Sequence, residues 1–256
     1  MQVLHSNIYG QGRPFVILHG FLGMSDNWKS LGIQFGDLSY EIHLVDQRNH
    51  GKSFHDDHFN YEYLVEDLNY YCSEHDLNDI ILLGHSMGGK TAMLFAATYP
   101  ELVSKLIIAD IAPRFYPRHH QNILQGLLAL DFSKIKSRNE TEDILKKYIH
   151  HFPTRQFLLK NLYWKQKGQL GLRINLQALI ENIDEIGEAL PSYLKFEGET
   201  LFLKGDKSEY ITDQDERNIK LQFPNVQIKT IKNAGHWLHA ENPEAFFEAI
   251  VQFIQE

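Results

Sequence analysis

The 256-residue chain carries 25 Lys and Arg against 33 Asp and Glu, a formal charge of −8, and is 43% hydrophobic. This acidic balance argues against nucleic acid or an anionic membrane as the main partner and leaves a small neutral or anionic substrate open. A substantial core is affordable, and α/β chains of this length are commonly one domain, so residues 1–256 are expected to form a single unit.

Leu4 to Tyr9 alternates weakly, and Gly10, Gly12 and Pro14 turn the chain before Phe15 to Leu18, which predicts a hairpin feeding a central strand. His19-Gly20-Phe21-Leu22-Gly23 follows. A helix then starts at a Ser25 or Asp26 cap and turns Trp28, Leu31 and Phe35 inward. Ile42 to Val45 is the next strand, ending at Asp46, before the polar loop Gln47-Arg48-Asn49-His50-Gly51-Lys52-Ser53. From Asn60 or Tyr61 to Glu74 a helix carries Tyr63, Leu64, Leu68 and Tyr71 on one side. The single cysteine, Cys72, lies near Leu68, Tyr71 and His75, which suggests a buried structural thiol and a reducing compartment.

Ile80 to Ala97 is the stretch that organises the rest. A β-type run, Ile80 to Leu83, meets Gly84-His85-Ser86-Met87-Gly88, and apolar residues resume at helical spacing with Met93, Leu94 and Ala97. That is strand, sharp turn, helix, with Ser86 at the apex of a strained GxSxG bend where Cβ atoms at 84 and 88 would collide. Lys105 to Ala109 is another strand, ending in Asp110. Ile111 to about Leu190 shows no convincing strand and several amphipathic helices, so an all-helical cap (about 114–190) is expected between core segments of about 1–113 and 191–256. Thr200 to Leu203 leads to Gly205, then a helix from Asp213 to Leu221, the strand Val226 to Ile231 and a closing helix from Pro243 to Ile254. Alternating strands and helices predict an α/β fold with a mostly parallel sheet flanked by helices.

Ligands of such sheets bind beyond the carboxyl ends of the strands, where Gly20, Phe21, Asp46, Ser86, Asp110, Asp206 and His236 stand. A serine hydroxyl needs a base as it attacks, and a histidine, with an unperturbed pKa of about 6.5, suits that task. His236, after the last strand, is the candidate base; His85 is fixed beside Ser86 with its side chain expected to point away. Backbone amides of Phe21 and Met87 would hold an oxyanion. The orienting acid is Asp110, which ends the strand after the serine helix, or alternatively Asp206; the position three after Gly205, where such an acid usually stands, is Ser208. Trp237 and Tyr210 are expected close to the site, whereas Phe115, Tyr116, Tyr163 and Trp164 read as packing. Activity should rise through roughly pH 6 to 7.5 as a histidine base loses its proton.

GHSMGGKTAM, with HGFLG, DQRNHGKS, ADIAP and NAGHWLHAENP, resembles the α/β-hydrolase superfamily, and within it the small YbfF-type acyl esterases through RNHGKS, Asp110-Ile111-Ala112-Pro113, and Gly205 with Ser208 and Tyr210. The resemblance implies a carboxylester hydrolase with a helical cap acting on short or medium acyl esters or thioesters, with Asp110 as the acid. No metal or organic cofactor is implied.

Other stretches have blander readings. Arg48, Asn49 and His50 are expected to hold their buried loop by hydrogen bonds, with substrate contact or bracing of the oxyanion loop as the functional alternatives, and His55-Asp56-Asp57-His58 reads as a solvated loop rather than an ion site. Arg114, Arg118, His119 and His120 form a basic cluster that could meet acyl-CoA phosphates. The start, MQVLHSNIYG, lacks the features of a secretory signal, and no apolar run nears the roughly 18 residues that span a bilayer, so a cytoplasmic protein without membrane insertion is expected. Oligomeric state is left open. The rival classes are a carbon-carbon bond hydrolase, lyase or perhydrolase on the same fold, and a ligand-binding protein that kept a hydrolase shell.

Overall fold

A computed structural model describes residues 2–118 and 120–256. Its strands are β1 (Ser6–Tyr9), β2 (Arg13–Leu18), β3 (Tyr40–Val45), β4 (Ile80–His85), β5 (Val103–Ala109), β6 (Leu162–Gln166), β7 (Gln169–Leu172), β8 (Glu199–Gly205) and β9 (Val226–Ile231). Seven of them form one sheet in the order β1-β3-β2-β4-β5-β8-β9, antiparallel only at β1. Period-two alternation sorts its side chains between two cores. Val16, Leu18, Ile80, Leu82, Leu106, Ile108 and Phe202 enter one, and Phe15, Ile17, Ile81, Leu83, Ile107, Leu201 and Leu203 the other.

The helices are α1 (Lys29–Gly36), α2 (Tyr61–Glu74), α3 (Met87–Thr98), α4 (Gln121–Leu128), α5 (Arg138–Leu145), α6 (Phe152–Leu159), α7 (Leu176–Glu181), α8 (Ile183–Gly187), α9 (Asp213–Gln222), α10 (Leu238–Glu241) and α11 (Pro243–Gln255). Leu68 and Tyr71 of α2 and Phe95 of α3 cover the first face; Phe35 of α1 and Phe246, Ile250 and Phe253 of α11 cover the second. Asn60 caps α2, its side chain accepting from the Tyr63 amide. Cys72 is buried in α2, and burial pushes its thiol up to about 12. Among the described residues no helix is long and apolar enough to cross a membrane.

Four expectations are corrected. First, β1 does not form a hairpin with β2: it pairs with β3, because Gly10 and Gly12, both at positive φ, carry the chain tightly past Ser39 and Tyr40 at the start of β3. A Cβ at Gly12 would stand 2.0 Å from the Ser39 carbonyl oxygen. Second, neither Ser25 nor Asp26 caps α1. Ser25 instead joins elements, its amide donating to Asp46 (2.6 Å) and its hydroxyl accepting from Asn7 (2.9 Å), and a short 3-10 turn precedes the helix. Third, Tyr63 lies at the rim of α2, 36% exposed under the Arg48 guanidinium, because Leu64, Val65, Leu68, Tyr71 and Cys72 fill the inward stripe.

The fourth concerns the segment between β5 and β8, which is not all-helical: β6 and β7 form an antiparallel hairpin within it. Runs of five and four residues are too short for alternation to stand out from a helix tail. The signal available was Lys167-Gly168, a two-residue connection with Gly168 at positive φ.

Candidate active site

Parallel register brings the chemistry to one edge. His85 pairs with Ala109, Ala109 with Leu203 and Gly205 with Ile231, so Ser86, Asp110 and the loops after β8 and β9 emerge side by side. Ser86 has φ 54, ψ −120, the unfavourable backbone expected at the apex of the bend. The flanking glycines permit it: a Cβ at Gly84 would lie 2.1 Å from the Gly88 oxygen, and one at Gly88 would lie 2.6 Å from the oxygens of Leu18 and His19.

Ser86, Asp110 and His236 meet. His236 Nδ1 lies 2.8 Å from Asp110 Oδ2, and its Nε2 lies 3.1 Å from Ser86 Oγ, so with the ring proton on Nδ1 donated to Asp110, Nε2 is placed to accept the proton of that hydroxyl. Asp110 is fully buried and accepts as well from the Gly205 amide (3.1 Å) and the Ser208 hydroxyl. Burial pushes its carboxyl up to about 6, against the opposing pull of Ser208 and Gly205. Asp206 stands elsewhere: it accepts from the Ala234 amide at 3.1 Å, and the amides of Asn233 and Ala234 hold its carboxyl below the usual range. It shapes the loop that presents His236. Ser208, at the position where an acid usually stands, serves Asp110 instead.

His85 turns away from the hydroxyl, and its Nε2 donates to the His236 carbonyl at 2.8 Å. Burial pulls this ring down to about 3, so it stays neutral while it supports the backbone of His236. Sequence reasoning rejected His85 as base but did not find this support.

The loop His19 to Gly23 is fixed from several sides. His19 Nδ1 donates to the Gly20 carbonyl (2.8 Å), which also accepts from the Gly23 amide (2.9 Å), while His19 Nε2 accepts from Gln47 (3.0 Å). Gly20 allows close approach, since a Cβ there would meet the His85 ring at 2.8 Å. Met87 is the first residue of α3, so its amide lies at the positive end of the helix. Arg48 grips Asp67 through two bonds of 2.5 and 2.8 Å, and His50 accepts from the Leu22 amide at 3.2 Å. The polar loop thus braces both itself and the glycine-rich loop.

Two cavities meet at Ser86, and His120 and Tyr210 also border both. The larger, about 180 Å³, is lined by Phe21, Trp28, Ile123, Phe157, His236 and Trp237. The smaller, about 40 Å³, takes Tyr61, Met87, Ile111, Phe115, Tyr116 and Ile186. Tyr210 stacks on His236 with ring centroids 3.7 Å apart. Tyr116 packs in the core as expected and also borders the smaller cavity, whereas Phe115, 54% exposed at the rim of that cavity, and Trp164, 56% exposed, depart from their reading as packing, and Tyr163 lies under Arg173. Trp28 and Tyr61 carried no sequence signal beyond an inward or helical position.

The basic cluster is already matched: Arg114 pairs with Asp215 at 3.0 Å and Arg118 with Asp184. His120 packs on Phe21, and His119 lies outside the described residues. Asp56 accepts from the His58 amide and ring, and among the described residues no three potential ligands cluster for a metal ion.

A parallel sheet with a serine at the apex of a strand-to-helix bend defines a class, and the chain belongs to it: the α/β hydrolase fold family, whose model matches residues 13–243. The protein is a hydrolase of that family. It is similar to the sn-1-specific diacylglycerol lipase ABHD11 of Danio rerio, 35% identical over 254 residues, spanning 96% of this chain and 80% of that protein. Esterase YbfF of Escherichia coli is 32% identical over 248 residues, spanning 95% of this chain and 93% of that protein. Among solved structures, a marine microorganism esterase superposes with TM-score 0.95 at 40% identity, over 99% of this chain and 100% of that one.

Proposed function

We propose that the protein is a serine carboxylesterase working through an acyl-enzyme. Ser86 Oγ attacks the acyl carbon as its proton passes to His236 Nε2, and Asp110 holds the imidazole in the tautomer that can accept it. The Phe21 and Met87 amides receive the oxyanion. Collapse of the tetrahedral intermediate breaks the ester bond, and His236 returns the proton to the leaving oxygen. Water then repeats the sequence on the acyl-enzyme and frees Ser86. The observation that carries this reading is His236 spanning Ser86 and Asp110 at 3.1 and 2.8 Å.

The leaving oxygen must lie where His236 can protonate it. His236 borders the larger cavity and not the smaller, which favours the alcohol in the former and the acyl chain in the latter. A space of about 40 Å³ suits short acyl groups, extended to medium ones by movement of the segment above it, and a thiol leaving group fits the same scheme. We assign residues 114–190 as a cap over the site within one domain of 1–256. A reducing compartment such as the cytoplasm suits the buried Cys72.

Stopped-flow hydrolysis of p-nitrophenyl esters of increasing acyl length tests the proposal. A burst stoichiometric with enzyme is expected, strongest for short chains, with the acyl mass on the peptide containing Ser86 and no burst in Ser86→Ala. Equal turnover in Ser86→Ala would refute it.

A further inference from the structure

The hairpin inside the inserted segment is flanked by two asparagines that leave the segment to grip the core. Asn161, just before β6 and 1% exposed, donates from Nδ2 to the Leu22 carbonyl at 2.9 Å. Asn175, just after β7, donates from its amide to the Asn49 carbonyl (2.9 Å) and from Nδ2 to Asn49 Oδ1 (3.1 Å). Asn49 precedes His50, whose Nε2 accepts from the Leu22 amide. Both ends of the hairpin therefore converge on Leu22, one directly and one through the loop that holds it.

Leu22 is an unusual residue for its place. The Gly23 amide closes a tight turn onto the Gly20 carbonyl, and Leu22 is the third residue of that turn with φ 59. Such a conformation favours glycine or asparagine, and a leucine stays there only when its surroundings hold it. The turn matters because the Gly20–Phe21 peptide is planar and trans. Its carbonyl is fixed by His19 and Gly23, so its N–H, the Phe21 amide, is fixed in the opposite direction.

On the reading of Ser86 and the Phe21 amide given above, we propose that Asn161 and Asn175 are positioning residues for the oxyanion loop. The inserted segment thereby completes the catalytic apparatus as well as covering it. Loss of the Asn161 bond releases Leu22 from its strained conformation, opens the turn and swings the Phe21 N–H off target.

Asn161→Ala and Asn175→Ala test this, with Asn182→Ala as control. Asn182 also joins the segment to the core, through the Asp57 carbonyl at 2.9 Å, but has no link to Leu22. Rates are taken per site titrated by the acyl burst, so a smaller folded fraction does not register. The second readout is the inhibition constant of a phenyl trifluoromethyl ketone, which adds to a serine hydroxyl and places an oxyanion in the hole. Asn161→Ala is expected to lower kcat about 10- to 100-fold, as misplacement of a catalytic group does, with KM within about twofold. Ketone affinity should fall in step. Asn175→Ala keeps its backbone bond and should show a smaller loss of the same kind, and Asn182→Ala none. Unchanged kcat in both variants, or a lowered kcat with undiminished ketone affinity, overturns the proposal. If Asn161→Ala does not fold, Asn175→Ala decides by the same two readouts. Wild-type enzyme with no burst and no ketone binding would instead refute the acyl-enzyme reading itself.

Discussion

Replacing Asp110 by Asn separates the two candidate acids and can be worked through atom by atom. Asp110 Oδ1 accepts from the Gly205 amide, while Oδ2 accepts from His236 Nδ1 and the Ser208 hydroxyl. An asparagine amide group turned toward Gly205 would face the Gly205 N–H, a buried backbone donor that cannot reverse its role, at a cost of about 1–3 kcal/mol. The carbonyl therefore stays with Gly205, and the amide group faces His236 and Ser208. The Ser208 hydroxyl can rotate to accept, but the ring must flip tautomer so that Nδ1 accepts and Nε2 bears the proton. Nε2 can then no longer take the proton of Ser86. Such a tautomer error carries an expected loss of about 10⁴ in kcat, or about 5.4 kcal/mol of transition-state stabilisation. The assay is hydrolysis of a short p-nitrophenyl ester at pH 7.5, with thermal unfolding as a check on folding. KM should stay within a few-fold. Asp206→Asn, which loses only part of an acceptor for the Ala234 amide, should keep activity within about threefold. An inactive Asp206→Asn enzyme beside an active Asp110→Asn enzyme would refute the assignment.

Two further predictions concern pH and stability. His19, His50 and His85 are buried and neutral, pulled down by burial to about 4, 3 and 3. The unfolded chain therefore binds more protons below about pH 6.5, and their contribution, complete above that value, is lost as pH falls. At about 1.4 kcal/mol per pH unit each, the three give a slope near 4 kcal/mol per unit around pH 5, measurable by urea unfolding; a flat profile from pH 6.5 to 4.5 would exclude neutral burial. Lys90 is fully buried in α3, donates to the carbonyls of Gly187 and Glu188 at the end of α8, and is pulled down to about 7 by burial. Unfolding in the window from about pH 7 to 10 should thus take up a proton, so stability from this group rises with pH there. Lys90→Met should abolish that rise, and an unchanged slope would contradict it.

The sequence legible by itself was that of short-range order. Short continuous apolar runs in Phe15 to Leu18, Ile80 to Leu83 and Lys105 to Ala109 marked buried strands because a parallel sheet covered on both faces demands apolar side chains on each side. Gly84 and Gly88 marked the bend at Ser86 because no other residue fits so close an approach. Family likeness to α/β hydrolases and the part of the site carried by Ser86 and His236 followed from those same local constraints. Where the signal was short or borrowed from elsewhere, it was lost: the Lys167-Gly168 turn was two residues among helices, and β1 chose β3 through backbone contacts 30 residues away.

What the sequence determined, then, were the elements and the chemical types at the ends of the strands, since steric and hydrophobic rules act on neighbours in the chain. Strand order and family likeness already put Asp110 ahead of Asp206 as the acid, but how Ser208 serves Asp110, how His85 supports the backbone of His236 and how Asn161 reaches Leu22 were decided by tertiary structure alone. A hydrogen bond requires atoms within about 3 Å along a defined direction, and residues 139 apart acquire that relation only when the whole sheet and its inserted segment are assembled.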